Sequence, residues 1–129
     1  MAKKRKKKHD ELLEEIVGRL KAWGYRVYPK KTYWLYYSGW KRYEADILAV
    51  NPERRIAYAV EIKTTHHKRA KEKALEQLMH DYVFLRKLYG DFRIRLFYVT
   101  NDGVKYINLE EIGCIKEENF LDWKDYFLA

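Results

Sequence analysis

The sequence has a single cysteine, Cys114, which excludes an internal disulfide and any metal site built from several cysteines. A chain with one thiol suits a reducing compartment, so we expect a cytoplasmic protein. The sequence also lacks a run of 18 apolar residues, which predicts no transmembrane helix and no membrane partner. The basic start of the chain is not followed by an apolar segment, so it does not look like a secretory signal.

Glutamine and serine are scarce as well. The chain has one Gln and one Ser, whereas charged residues make up 36% of it. Replacement of heat-sensitive amides by ionic side chains is typical of thermophilic proteins. The composition therefore predicts a thermophilic protein.

Acidic residues are too few to balance the basic ones, with 19 Asp and Glu against 27 Lys and Arg and a net charge of +8. Residues 1–8 form a basic arm, which we predict to be disordered because its like charges repel. Residues 9–129 then form a single domain. Within residues 9–109, 19 basic against 13 acidic residues still leave about +6. A polyanion, most commonly nucleic acid, is the expected partner, and a merely lysine-rich thermophile surface is the alternative.

Hydrophobic periodicity predicts the order of the secondary-structure elements. A helix begins at His9 and ends at Gly24, and a second long helix over residues 68–89 ends at Gly90. The predicted strands cover 25–28, 32–37, 43–50, 56–63, 93–100 and 104–109, with breaks at Pro29, Ser38-Gly39, Asn51-Pro52 and 101–103. A short amphipathic helix over 117–127 completes the list.

The same order predicts the fold class. Successive strands before the second helix indicate an antiparallel meander, and the strand, helix, strand unit at 56–100 implies a right-handed crossover. We therefore predict an α/β protein, a three-layer sandwich whose mixed sheet lies between helices, with a helix, meander, helix, strand core.

Two neighbouring predicted strands carry the residues that point to chemistry. Asp46 lies in one strand, and Glu61 and Lys63 lie in the next. Side chains alternate along a strand, so Glu61 and Lys63 face the same way, as do Glu44 and Asp46. A short turn joins the two strands, so a hairpin would bring Asp46 and Glu61 close together.

Two carboxylates held that close repel each other unless a cation lies between them. Oxygen ligands select a hard ion such as Mg²⁺ or Mn²⁺, which binds a phosphodiester oxygen and lowers the pKa of a bound water. Lys63 beside this ion would orient or deprotonate the water, or offset charge on the pentavalent phosphorus. The pattern thus predicts metal-dependent phosphodiester hydrolysis. A solvated strand edge carrying a Glu–Lys pair is the alternative.

This arrangement resembles the PD-(D/E)XK nuclease superfamily, which pairs an acidic residue on one strand with a (D/E)-X-K triplet on the next. Here Asp46 takes the first position, and Glu61, Ile62 and Lys63 take the triplet. The resemblance implies a restriction-endonuclease-like core over residues 9–100, with metal ligation by Asp46, Glu61 and the backbone carbonyl of Ile62. Members of this superfamily include restriction enzymes, repair nucleases and archaeal Holliday-junction resolvases. The resemblance therefore implies DNA as the substrate, in the form of a duplex, a junction or a single strand.

The chain departs from the family pattern in two places. Ala45 precedes Asp46 where the family name has Pro. RecB-like members carry a Gln and, four residues later, a Tyr on the following helix. Here Gln77 is present, whereas His80 lies three residues on and Tyr82 five. Gln77 is therefore kept as a candidate site residue and Tyr82 is not.

Many members of the superfamily also place an acid on the first helix. A helical wheel puts His9 on the apolar face, Asp10 at its edge and Glu14 largely away from it. His9 and Asp10 are the candidates from this helix, and Glu14 is the alternative if the helix packs differently.

A basic cluster opens the second long helix. Cations in a first helical turn oppose the helix dipole, which is tolerable where that turn faces a polyanion. The predicted DNA contacts are accordingly Lys68, Arg69, Lys71 and Lys73. The preceding His66 and His67 do not readily share one metal, so phosphate contact or plain exposure is expected of them. A solvated lysine-rich helix face is the alternative for the cluster.

Six aromatic residues, Tyr33, Trp34, Tyr36, Tyr37, Trp40 and Tyr43, crowd one predicted hairpin. Aromatic side chains pack well across strands, and they also stack on unpaired bases. Core packing or a dimer contact is favoured here over base stacking.

Three functions remain open from the sequence. The first is a metal-dependent endonuclease, and a homodimer like the resolvases would cut two strands symmetrically. The second is a non-catalytic nucleic-acid-binding module, against which the intact set of Asp46, Glu61 and Lys63 argues. The third is metal-independent RNA cleavage like that of tRNA-splicing endonucleases, which would leave the acidic pair without a role.

Overall fold

The elements of the fold follow one another along the chain without long connections. A computed structural model describes residues 8–64 and 68–107. Its elements are α1 (His9–Ala22), β1 (Arg26–Tyr36), β2 (Trp40–Asn51), β3 (Ile56–Ile62), α2 (Lys68–Leu88), β4 (Arg93–Thr100) and β5 (Gly103–Ile107). Of the predicted basic arm only Lys8 is described, and the predicted helix over 117–127 lies outside the described residues.

Helix α1 ends where the sequence predicted. Gly24 has a φ of +89°, a conformation that glycine adopts without steric cost. The N–H of Gly24 donates to the carbonyl of Lys21, and the N–H of Tyr25 donates to that of Leu20. These two bonds are the Schellman pattern, which satisfies the last carbonyls of a helix.

The five strands form one mixed sheet in the order β1-β2-β3-β4-β5. The pairs β1–β2, β2–β3 and β4–β5 are antiparallel. The pair β3–β4 is parallel and is joined through α2. The predicted antiparallel meander and the mixed sheet are therefore confirmed for the described part of the chain, which is an α/β structure with two helices.

The predicted break at Pro29 is wrong, because β1 runs through it as one strand. β1 is an edge strand, where a residue without an N–H is tolerated. The distortion falls instead on Lys30, whose φ is +50°. Pairing with β2 passes directly from Pro29–Ile47 to Lys31–Ala45, so Lys30 and the residue opposite it, Asp46, lie at the irregular point.

The two helices pack on alternate residues of the sheet. Along β3, Ala57 and Ala59 belong to the buried cluster that contains α2 residues. The residues that alternate with them, Tyr58 and Val60, belong to the cluster that contains Leu12, Leu13 and Leu20 of α1. Neither helix in the described ranges is both long and apolar enough to cross a membrane.

Strand β1 changes the helix it faces along its length. Tyr25 and Val27, just before and within β1, pack with α1, whereas Tyr33 and Leu35 pack with α2. Since all four positions are odd-numbered, the change of side occurs between them, around Lys30. Asp46, opposite Lys30, therefore lies at the point where β1 changes the helix that it faces.

Candidate active site

The β2–β3 ladder ends at the pair Ile47–Val60, and two carboxylates take over the hydrogen bonding beyond it. The N–H of Asp46 donates to Oε2 of Glu61 at 3.1 Å. The N–H of Ile62 donates to Oδ2 of Asp46 at 2.7 Å. The two strands thus exchange side-chain to backbone bonds where they diverge, and the hairpin brings Asp46 and Glu61 together.

Helix α1 contributes His9 to this point. Its Nε2 lies 3.3 Å from Oδ2 of Asp46, and its Nδ1 lies 3.4 Å from Oδ1 of Asp10. Asp10 is exposed, also pairs with Lys30 at 3.5 Å, and has its pKa lowered by the His9 hydrogen bond and by the Lys30 charge. His9 therefore contacts the acidic pair directly, Asp10 reaches it only through His9, and Glu14 is exposed.

Helix α2 contributes Gln77 and a residue that the sequence reasoning missed, Asp81. The Gln77 amide donates to the hydroxyl of Tyr33 at 3.0 Å and to Oδ1 of Asp81 at 2.7 Å. The Tyr33 hydroxyl donates to the same Asp81 oxygen. Asp81 is fully buried, within the apolar face of α2 that also includes Leu78. A carboxylate at a core spacing of that helix was the available signal.

The acidic cluster consists of Asp46, Glu61 and Asp81, and it concentrates negative charge in a buried place. Burial, and next the Asp81 carboxylate, raise the pKa of Glu61 well above its usual value. Burial also raises the pKa of Asp81 to about 6, although hydrogen bonds from Glu61, Tyr33 and Gln77 oppose that rise. Within the described ranges, Oδ2 of Asp81 has no hydrogen-bond partner. Such an arrangement is one that a cation would stabilise.

Replacing Tyr33 with Phe tests how much this buried network contributes to stability. Burial and the Asp81 carboxylate raise the pKa of Tyr33 far above its usual value, so its hydroxyl stays protonated and donates. Without it, Asp81 and Gln77 lose a buried partner, and we expect the free energy of unfolding to fall by about 1–3 kcal/mol. Urea unfolding at neutral pH measures this. Tyr28→Phe, at an exposed position of the same strand, is the control, and equal stability of both variants would contradict the prediction.

Lys63 follows the last residue of β3, and its N–H donates to the carbonyl of Val99 at 2.9 Å. Its side chain is half-buried. That Lys63 shares the side of Glu61 stays a prediction from strand alternation, because Lys63 lies one residue beyond β3. Glu44, the other acid predicted on β2, is exposed and paired in register with Thr32, outside the hydrogen-bonded cluster.

The basic residues predicted to contact DNA lie at the start of α2. Lys68 and Lys71 line a cavity of about 380 Å³, together with Lys105 and the end of β4. Arg69 and Lys73 are exposed. His66 and His67 lie outside the described residues.

The cluster is not a closed metal cage. Across residues 8–64 and 68–107, no three His, Cys, Asp or Glu side chains are arranged to surround one cation. Mg²⁺ is usually held by one or two carboxylates and keeps several of its waters, so two carboxylates suffice for such an ion. The donor chemistry of Asp46 and Glu61 therefore fits a hard divalent cation. Comparisons of the chain with known protein families, with curated proteins and with solved structures give no significant match.

Proposed function

We propose that the protein is a metal-dependent endonuclease that hydrolyses DNA phosphodiester bonds. The observation that carries the proposal is the pair of Asp46 and Glu61, linked by side-chain to backbone hydrogen bonds where β2 and β3 diverge, with Lys63 two residues beyond Glu61. The PD-(D/E)XK resemblance places the same three residue types in those positions. We also propose the finer fold that goes with it, a three-layer, restriction-endonuclease-like sandwich.

Mg²⁺ or Mn²⁺ fits the donor atoms at this point. The ligands would be the carboxylates of Asp46 and Glu61 and the backbone carbonyl of Ile62, all of them oxygens. The raised pKa of Glu61 and the unpartnered Oδ2 of Asp81 both reflect an excess of buried negative charge that a divalent ion would offset. When bound, the ion would polarise the phosphodiester and lower the pKa of a water.

The protein's own side chains would act on the attacking water and hold the carboxylates in place. The ammonium of Lys63 would orient the attacking water or offset charge as it develops on the phosphorus. His9 holds the Asp46 carboxylate from one side through its Nε2 contact. Gln77 and Tyr33 hold Asp81, which in turn interacts with Glu61. These contacts fix the two carboxylates without occupying every oxygen.

DNA is the proposed substrate because the folded part of the chain is basic. Some of its basic residues also lie on α2, the helix that contributes Asp81 to the acidic cluster. Lys68 and Lys71 open α2, which also carries Gln77 and Asp81. Cations placed there would bind backbone phosphates and position the substrate without reading its sequence. We also propose a homodimer, because its two symmetric active sites would cut the two strands of a duplex or junction.

A substrate panel tests this function. Labelled single strand, duplex, flap and four-way junction are each incubated with Mn²⁺, Mg²⁺ or EDTA. We expect cutting only with metal, and a loss of about 10³-fold or more in Glu61→Gln, because several kcal/mol of charge stabilisation at the phosphate are removed. Glu44→Gln, which removes an exposed carboxylate from the neighbouring strand, should cut within about threefold of wild type on the same scale.

Two results would contradict the proposal. Cutting that persists in EDTA would indicate a metal-independent reaction. Cutting that is equal in Glu61→Gln and Glu44→Gln would remove Glu61 from the site.

A further inference from the structure

The β1–β2 hairpin exposes aromatic side chains that the core does not use. Trp34 is 55% exposed, Tyr36 53% and Trp40 69%. Tyr36 and Trp40 pack edge to face, with ring centroids 5.6 Å apart. Of the favoured assignment to core packing or a dimer contact, core packing is confirmed for Tyr33 and its buried neighbours, whereas these three residues lie outside the core.

These side chains lie on one face, opposite the face that packs on α2. Leu35 and Tyr43 point into the α2 cluster, so the alternate residues of both strands point the other way. Across the strands, Trp34 pairs with Arg42 and Tyr36 pairs with Trp40. Trp34, Tyr36, Trp40 and Arg42 together are called the hairpin face below.

The hairpin face continues into the candidate active site. Ala45, like Tyr43, packs with α2, so Arg42 and Glu44 point to the other side of β2. On that side Asp46 contacts His9 of α1. Trp40 and Arg42 thus lie in a row that leads along β2 towards Asp46, with about 13 Å between Arg42 and Asp46 at the usual rise per residue.

The chemistry of the hairpin face fits unpaired bases better than it fits a second protein copy. Its three aromatic side chains present only about 350 Å² at the usual area of such residues. A standard protein interface takes about 800 Å² from each partner. Indole and phenol rings interleaved with a guanidinium match the stacking surfaces and phosphates of a single strand.

We propose that the hairpin face binds the unpaired bases of a DNA strand that leads into the site at Asp46. The inference rests on the proposed nuclease function and names its substrate class, DNA with a single-stranded segment next to the cut. Stacking on Trp34 and Trp40 holds the bases, and Arg42 contacts the backbone between them and the scissile phosphate.

Binding in EDTA tests this without any cleavage. The probes are a labelled 20-nucleotide oligothymidylate, which cannot pair with itself, and a duplex of the same length, at one salt concentration. We expect Trp34→Ala and Trp40→Ala each to weaken oligothymidylate binding about tenfold, since each removes one base stack. Duplex affinity should change less than twofold, because paired bases offer no free faces.

Matched variants keep the test specific. Trp23→Ala removes an indole that is 65% exposed just after α1 and should leave binding unchanged. Trp34→Phe keeps a stacking ring and should restore most of the affinity. Wild-type affinity for oligothymidylate in both alanine variants overturns the proposal. So does a wild-type dimer that becomes a monomer in those variants with single-strand binding intact, since the face then joins two copies.

The failure of this inference is distinguishable from the failure of the proposed function. Normal metal-dependent cutting by alanine variants that bind oligothymidylate like wild type overturns the hairpin face alone. Loss of single-strand binding in those variants, with no cutting by wild type under any metal, supports the hairpin face and overturns the nuclease.

Discussion

Asp46→Asn is expected to lower DNA cleavage by about 10³-fold or more while leaving DNA affinity in EDTA within about twofold of wild type. The substitution keeps an oxygen that can accept the Ile62 N–H and keeps the side chain's size. It removes the negative charge that a divalent cation requires. Because phosphate contacts made elsewhere determine affinity, binding and cutting should separate.

Parallel assays on one preparation measure this separation. Fluorescence anisotropy gives DNA affinity in EDTA, single-turnover cutting in Mn²⁺ gives the rate, and calorimetry gives metal affinity. Asp10→Asn is the matched control, because Asp10 reaches Asp46 only through His9. We expect Asp10→Asn to lose less than about tenfold in rate, as for a residue that only helps to position another.

Three outcomes would contradict the assignment of Asp46 to a catalytic metal site. Wild-type cutting by Asp46→Asn would remove Asp46 from the site. DNA affinity that falls together with cutting would make Asp46 a binding or structural residue. Tight binding by wild type with no cutting under any metal would favour the non-catalytic binding module.

Asp81→Asn is expected to stabilise the metal-free protein by roughly 1–3 kcal/mol at pH 7.5. Asp81 is buried beside Glu61, and its Oδ2 has no partner among the residues that the structure describes. An asparagine keeps the oxygen that accepts from Tyr33 and Gln77 and removes the charge. Removal of a charge that burial disfavours therefore outweighs the loss of the charged hydrogen bonds.

The gain should depend on pH in a direction fixed by the pKa of Asp81. Burial raises it from 3.8 to about 6, so the folded state keeps a proton that the unfolded state has already released. Below about pH 4 the carboxyl of Asp81 is protonated in both states and does not lower the free energy of unfolding. That free energy falls for the wild type as pH rises from about 4 to 6. Above that window the cost is constant. The advantage of Asp81→Asn should therefore appear between pH 4 and 6 and persist at neutral pH.

Urea unfolding in EDTA across pH 4 to 8 checks both size and direction. Glu76→Gln, an exposed carboxylate on the same helix, should change stability by less than about 0.5 kcal/mol at every pH. An Asp81→Asn variant less stable than wild type at pH 7.5 would show that the hydrogen bonds to the charged group outweigh its burial.

Several features of the fold follow from local sequence pattern. Gly24 adopts the positive φ that ends α1, and the helical periodicity after residue 68 gives α2. The spacing of Asp46 and Glu61 across a short turn was enough to predict that they meet. These features depend on neighbours in the chain, and local geometry decides them.

Other features depended on what lies beside a residue in space. Pro29 reads as a strand break, but it is tolerated because β1 turned out to be an edge strand. The sequence predicts core packing or a dimer contact for the aromatic hairpin, yet the side to which each ring points depends on the irregularity at Lys30, which alternation alone does not reveal.

By itself the sequence determined the order of helices and strands in the described residues apart from the break at Pro29, the basic charge, and the pairing of Asp46 with Glu61, because each depends on composition or on spacing along the chain. Only the tertiary structure decided that Asp81 belongs beside Glu61, that His9 touches Asp46, and that three aromatic rings stay exposed. The physical reason is that each of these depends on how α1 and α2 pack on the sheet. That packing is fixed by contacts among residues far apart in the sequence.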